Sequence, residues 1–180
     1  MDQVLPSRRL ARAYAPSFAW QRRRDTYDQF CTAFKNRKAD ELPLLLLDSE
    51  DAVTEGDTTW QHLKKRDQMD RPKDAADHHA YLMAQVMETW LLADPAALQT
   101  YFKSKFKADK IPAWTAFESV PKQTVYDTLS AATAECGEKQ YNKGKSGAAE
   151  HSFNVLGLIS PEKVKQKCPH AKRLLDFLAQ

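Results

Sequence analysis

The sequence predicts an α/β fold: a single domain with a small, mainly parallel sheet and helices on both faces. Two patterns carry that expectation. Leu44-Leu45-Leu46-Leu47 is a short, wholly apolar run that leads straight into Asp48-Ser49-Glu50-Asp51. Such a run, bounded by polar residues, reads as a strand buried on both faces, the kind that parallel sheets use. Around it, apolar residues recur at helical spacing between breaks marked by proline or glycine. With 180 residues, 42% hydrophobic and 28% charged, the chain is long enough for one core and too apolar for a disordered one.

The first segment, residues 1–24, sets six arginines (Arg8, Arg9, Arg12, Arg22, Arg23 and Arg24) against Asp2 alone. It reads as a basic, poorly ordered terminus, solvated or in non-specific contact with phosphates. The domain proper is expected over 25–180. Tyr27, Phe30, Cys31 and Phe34 follow i, i+3, i+4, i+7 spacing, which predicts a helix over 25–37 with Asp25 as its N-cap. Pro43 opens the leucine strand, where its missing N–H does least harm. Residues 53–57 read as loop, 60–67 as a short helix, and 68–78, with Pro72 and many charges, as an exposed loop. The apolar stretch 80–93 fits one buried helix or a strand followed by a helix; we prefer a strand over Tyr81–Met87 with helix resuming near Trp90. Met83, Met87, Trp90 and Leu91 are assigned to core packing. Asp94-Pro95 supplies an N-cap and first helical residue for a helix reaching Phe102.

Pro121 opens a helix through about Glu135, with Val125, Leu129 and Ala132 on one face. Residues 136–147 combine Gly137, Gly144 and Gly147 with Lys139, Lys143 and Lys145 and read as a mobile basic loop. Ser160-Pro161-Glu162 starts a further helix, and Pro169 begins the last one, with Leu174, Leu175 and Leu178 inward. No repeat and no interior domain boundary is evident.

Several function classes find no support. The sequence holds no GxSxG, HExxH or GxxxxGK[ST] pattern, the signatures of nucleophile elbows, zincins and P-loops. Its cysteines, Cys31, Cys136 and Cys168, are odd in number and form no CxxC or Cys/His pattern. That argues against a disulfide scaffold or zinc site and for a reducing, cytoplasmic setting. No apolar stretch approaches the roughly 20 residues of a membrane helix, and no signal peptide is expected.

The chemistry-bearing residues cluster at the end of the leucine strand. Ligands of open α/β sheets bind beyond the carboxyl ends of their strands. If extended geometry continues, Asp48 and Glu50 point the same way, and like charges that close call for a cation between them. Oxygen donors without thiol or imidazole suit Mg²⁺ or Mn²⁺, so Asp48, Glu50 and Asp51 are the candidate metal ligands. The plainer alternative is that these acids cap the following turn. Glu88 lies in an apolar stretch, where an unpaired charge is costly; it pairs with a buried cation or faces the same site as Asp48 and Glu50. His62 and Arg66 are spaced i, i+4, and Arg66 offers a bidentate phosphate donor. Lys143 and His151 flank the glycine loop as further phosphate-directed groups. Acids for a metal and cations for phosphate are the parts that metal-assisted phosphoryl chemistry needs.

The strings LLLLDSEDAV, WQHLKKRD, DRP, YLMAQVMETWLLAD, HSFNVLGLISPEKV and CPHAKRLLDFL resemble the bacterial domain-of-unknown-function family 4276 over roughly residues 25–178. That family is similar to the Toprim fold of topoisomerases, primases and related nucleases. The resemblance implies a Toprim-like domain in which a glutamate after the first strand and a DxD after a later one jointly bind Mg²⁺. Asp48-Ser49-Glu50 matches the second element, with glutamate in place of its second aspartate. The usual opening strand and its Glu-Gly turn have no counterpart before residue 25. By resemblance, the chain is a Mg²⁺-dependent nuclease acting on DNA or RNA, with an ATPase partner in anti-phage defence. The missing first acid supports the alternative of a non-catalytic, ATPase-associated regulatory or nucleic-acid-binding subunit.

Overall fold

The computed structural model of the chain describes residues 23–143 and 148–180. Within them lie eight α-helices and two β-strands. The expected basic segment at the N-terminus falls almost wholly outside the described residues, as do positions 144–147 of the basic loop. The strands, β1 (Leu45–Asp48) and β2 (Ala80–Met83), form a two-stranded parallel sheet, so the fold is mixed α/β. The chain gathers into two compact units interleaved in sequence, residues 23–47 with 58–80 and residues 48–57 with 81–180.

The first unit is built on α1 (Arg23–Lys35) and α2 (Thr59–Asp67). The heptad-like spacing of α1 buries Tyr27, Phe30 and Phe34. Phe30 stands 5.6 Å from Phe34 and 5.9 Å from Trp60, centroid to centroid, and Phe34 meets His79 edge-on at 4.9 Å. Two of the unit's aromatic tips find backbone partners: Tyr27 Oη donates to Asp70 O and Trp60 Nε1 to Ala76 O. Asp25 is not the N-cap expected of it. The helix already includes Arg23, so Asp25 sits in the first turn, where a negative charge suits the helix dipole. A reciprocal capping box between Thr58 and Gln61 starts α2, and Gln68, with a φ of 56°, ends it.

The strands depart from expectation in two ways. Along β1 only Leu45 and Leu47 are buried, while Leu46 and Asp48 are half-buried. One face of the strand is therefore fully covered, not both. The strand predicted over Tyr81–Met87 ends at Met83, because the segment beyond it turns around the tip of β1. Gln85 O accepts from Glu50 N at 2.7 Å, and Met87 N donates to Asp48 Oδ1 at 2.8 Å.

The second unit holds the remaining helices: α3 (Glu88–Ala93), α4 (Pro95–Phe102), α5 (Lys122–Ala132), α6 (Ala148–Leu156), α7 (Pro161–Lys167) and α8 (Pro169–Leu178). Every residue of α3 is buried, which explains why its sequence shows no amphipathic period. Leu91, Leu92, Leu98, Val125, Leu129, Val155 and Val164 fill the core. Asp94-Pro95 starts α4 as predicted, with the Asp94 side chain accepting from Ala97 N. Val125, Leu129 and Ala132 form the buried stripe of α5, which stops three residues short of Glu135. In α8 Ala171 and Leu174 are buried and Leu175 is half-buried, as is Phe177, whose ring lies 5.8 Å from that of Tyr81. Leu178, expected inward, is 40% exposed. Helix α6 has no counterpart among the elements expected from sequence, because the glycines and lysines before it mask the local signal.

Candidate functional site

The hydrogen bonding of the sheet does not stop at its last assigned residues. Ser49 N donates to Met83 O and Glu50 N to Gln85 O, which locks the turn after β1 beside the turn after β2. Two chain ends that carry acids are thereby held together at the carboxyl edge of a parallel pair, the place where α/β folds put ligands. Glu50 has a φ of 64°, so the simple alternation that would align it with Asp48 ends there. Ser49 is buried, and its Oγ donates to Asp51 O at 2.6 Å. Asp51 itself is exposed.

Asp48 and Glu88 form the heart of the site. The pKa of Asp48 is pushed up to about 7, first by burial and next by the charge of Glu88, with Glu50 adding to the repulsion; Lys143 and the Met87 N–H work the other way. Glu88 is 3% exposed. Its Oε1 accepts from Tyr141 Oη at 2.7 Å and from Lys143 Nζ at 2.8 Å. Its Oε2 is buried and has no hydrogen-bond partner among the described residues. Tyr126 and Tyr141 stack on each other, and Lys143 Nζ lies 4.7 Å from the Tyr126 centroid. Burial first, then the neighbouring acids, pushes Tyr126 up to about 12 and raises Tyr141 further; Lys143 pulls Tyr126 the other way. Both hydroxyls therefore stay protonated, and that of Tyr141 donates to Glu88. Burial alone lowers an ammonium pKa, but Glu88 outweighs it and holds Lys143 above its ordinary value, so the pair is ionic.

The rim is supplied by α5. Lys122 Nζ pairs with Glu50 Oε2 at 2.9 Å, and Lys122 N donates to Gln85 Oε1 at 3.2 Å. Asp48, Glu50, Glu88 and Lys143, all singled out from sequence, thus belong to one charged cluster. His151 and Arg66 have partners of their own. His151 Nδ1 lies 2.8 Å from Tyr101 Oη, a hydroxyl that also accepts from Asn154 Nδ2 while Lys139 covers the Tyr101 ring. Arg66 belongs to the other unit, where it pairs with Asp67. Gln85, Lys122, Tyr126 and Tyr141 carried no sequence signal that marked them as site residues.

The donors can be tested against a divalent ion. Among the described residues no group of three or more His, Cys, Asp or Glu side chains is arranged as a metal cage. Mg²⁺ rarely requires one: it keeps several waters and is held by one or two carboxylates plus substrate phosphate. Asp48 and Glu88, the latter with a buried Oε2 that has no donor among the described residues, suit that demand. Asp51 offers no comparable observation.

A family model, described as a domain of unknown function (DUF4276), matches residues 4–179. The chain belongs to that family. The match begins well ahead of residue 25, so it takes in most of the arginine-rich segment. No curated protein and no solved structure showed a significant match to the chain. Among the described residues no helix is long and apolar enough to cross a membrane.

Proposed function

For this member of the DUF4276 family we propose Mg²⁺- or Mn²⁺-dependent cleavage of nucleic-acid phosphodiesters at the Asp48–Glu88 cluster. One observation carries the reading: a buried carboxylate oxygen, Glu88 Oε2, has no donor among the described residues, and the charge of Glu88 helps to suppress ionisation of a second carboxylate, Asp48. Buried charge of one sign is costly, and a cation beyond Lys143 would relieve it further. A bound divalent ion would supply Lewis acidity for an attacked phosphate and lower the pKa of a coordinated water. Asp48 and Glu88 would hold the ion, while Lys143 and Lys122 neutralise charge on phosphate oxygens. The Met87 amide orients Asp48 through its Oδ1, and Tyr141 orients Glu88 through its Oε1.

The reading also draws on the resemblance of Asp48-Ser49-Glu50 to the acidic element of Toprim domains, and with it come an ATPase partner and a role in anti-phage defence as parts of the same proposal. Its competitor is a non-catalytic subunit that docks on an ATPase or binds nucleic acid. The test is cleavage of DNA and tRNA with Mg²⁺, by the wild type and by Asp48→Ala and Glu88→Gln. Both variants are expected to lose on the order of 10²-fold or more of the rate. Equal cleavage by all three, or no Mg²⁺-dependent cleavage by the wild type, contradicts the proposal and favours the competitor.

A further inference from the structure

We infer that Lys143 is a resident counter-cation: it neutralises Glu88 while the divalent ion is absent, competes with that ion, and is released to meet substrate phosphate when the ion binds. This rests on the metal reading above and adds an order of events to it. The geometry is specific. Lys143 Nζ reaches only Oε1 of Glu88, at 2.8 Å, and leaves Oε2 open. The Glu88 side chain is 4% exposed, whereas that of Lys143 is 40% exposed. The acid is fixed and the cation has a way out to solvent. Removing a partner from a buried acid is costly, so Glu88 must hold some cation at all times. An ion on Oε2 and Asp48 would meet that need and would repel an ammonium on the adjacent oxygen of the same carboxylate. Lys143 keeps a second foothold as it leaves, since its Nζ already lies over the Tyr126 ring, and cation–π contact persists without Glu88.

Two measurements on the full chain test this. In a Mn²⁺ titration followed by electron paramagnetic resonance, Lys143→Met is expected to bind Mn²⁺ about tenfold or more tightly than wild type, because a nearby positive charge is gone. Asp48→Asn should weaken binding in both backgrounds. Equal or weaker binding by Lys143→Met, with Asp48→Asn still abolishing it, overturns the counter-cation role and leaves the metal site standing. No Mn²⁺ bound by either protein overturns both. The second measurement needs no variant: Mg²⁺ should speed acylation of Lys143 in the wild type by a water-soluble acylating reagent, read by mass spectrometry. A Lys143 rate unmoved by Mg²⁺ overturns the inference even if Lys143→Met does not fold.

Discussion

Asp48→Asn is expected to stabilise the metal-free protein at pH 8 by about 4 kcal/mol and to change it little at pH 4. The folded carboxyl titrates near 7 against an ordinary 3.8. Between those values the unfolded chain has lost the proton that the native protein keeps. Stability therefore falls as pH rises through that window, and above about pH 7 the full cost of ionising Asp48 is present. Burial is the larger cause and Glu88 the next. Asparagine removes the charge yet keeps an Oδ1 that can accept from Met87 N, so the turn after β2 stays anchored. Urea denaturation with a chelator present, at pH 4, 6 and 8, measures the difference. A gain independent of pH, or a loss at pH 8, would mean that Asp48 carries no strained charge.

Asp94→Ala has the opposite sign. It should cost about 2–3 kcal/mol at pH 7, for a lost helix cap and amides left without their acceptor; the Lys163 side chain, 48% exposed, is left to solvent. Asp94 is 2% exposed. Its Oδ1 accepts from Lys163 Nζ at 2.8 Å and from Ala97 N at 3.4 Å, and its Oδ2 accepts from Ser160 N at 3.0 Å. One carboxylate thus caps α4 and ties it to the start of α7. Burial pushes Asp94 up, but the Lys163 bond and the two amides outweigh it and leave the pKa below its ordinary value. Its contribution is present above the ordinary carboxylate range and is lost as pH falls through the lowered folded pKa. Chemical denaturation of the two proteins at pH 7 settles the size; a loss under about 1 kcal/mol, typical of a solvent-exposed pair, would contradict the buried geometry.

What could be read from the residues alone follows the range of the interactions. The leucine run, the Asp94-Pro95 start of α4 and the stripe of Val125, Leu129 and Ala132 are local patterns, and each found its place. Glu88 was visible because a charge in an apolar stretch needs a partner. The partner was not readable: Glu88 and Lys143 are 55 residues apart, Asp48 and Met87 39, Glu50 and Lys122 72. No window of sequence holds such a pairing, and Pro121-Lys122 looks like any helix start. Helix α6 was hidden for a different reason, since its own apolar residues follow directly on Gly147. His151 and Arg66 match the acids only by residue type, and their hydrogen bonds include ones to Tyr101 and Asp67.

Whether Asp48 and Glu88 take a divalent ion can be decided by diffraction from crystals grown with Mn²⁺, using the metal's anomalous signal. Metal binding by these acids requires a peak within bonding distance of Asp48 and of Glu88 Oε2, with Lys143 Nζ withdrawn from Oε1. A map with no peak there, in which Glu88 keeps Lys143 and its second oxygen meets only water or protein, would contradict it.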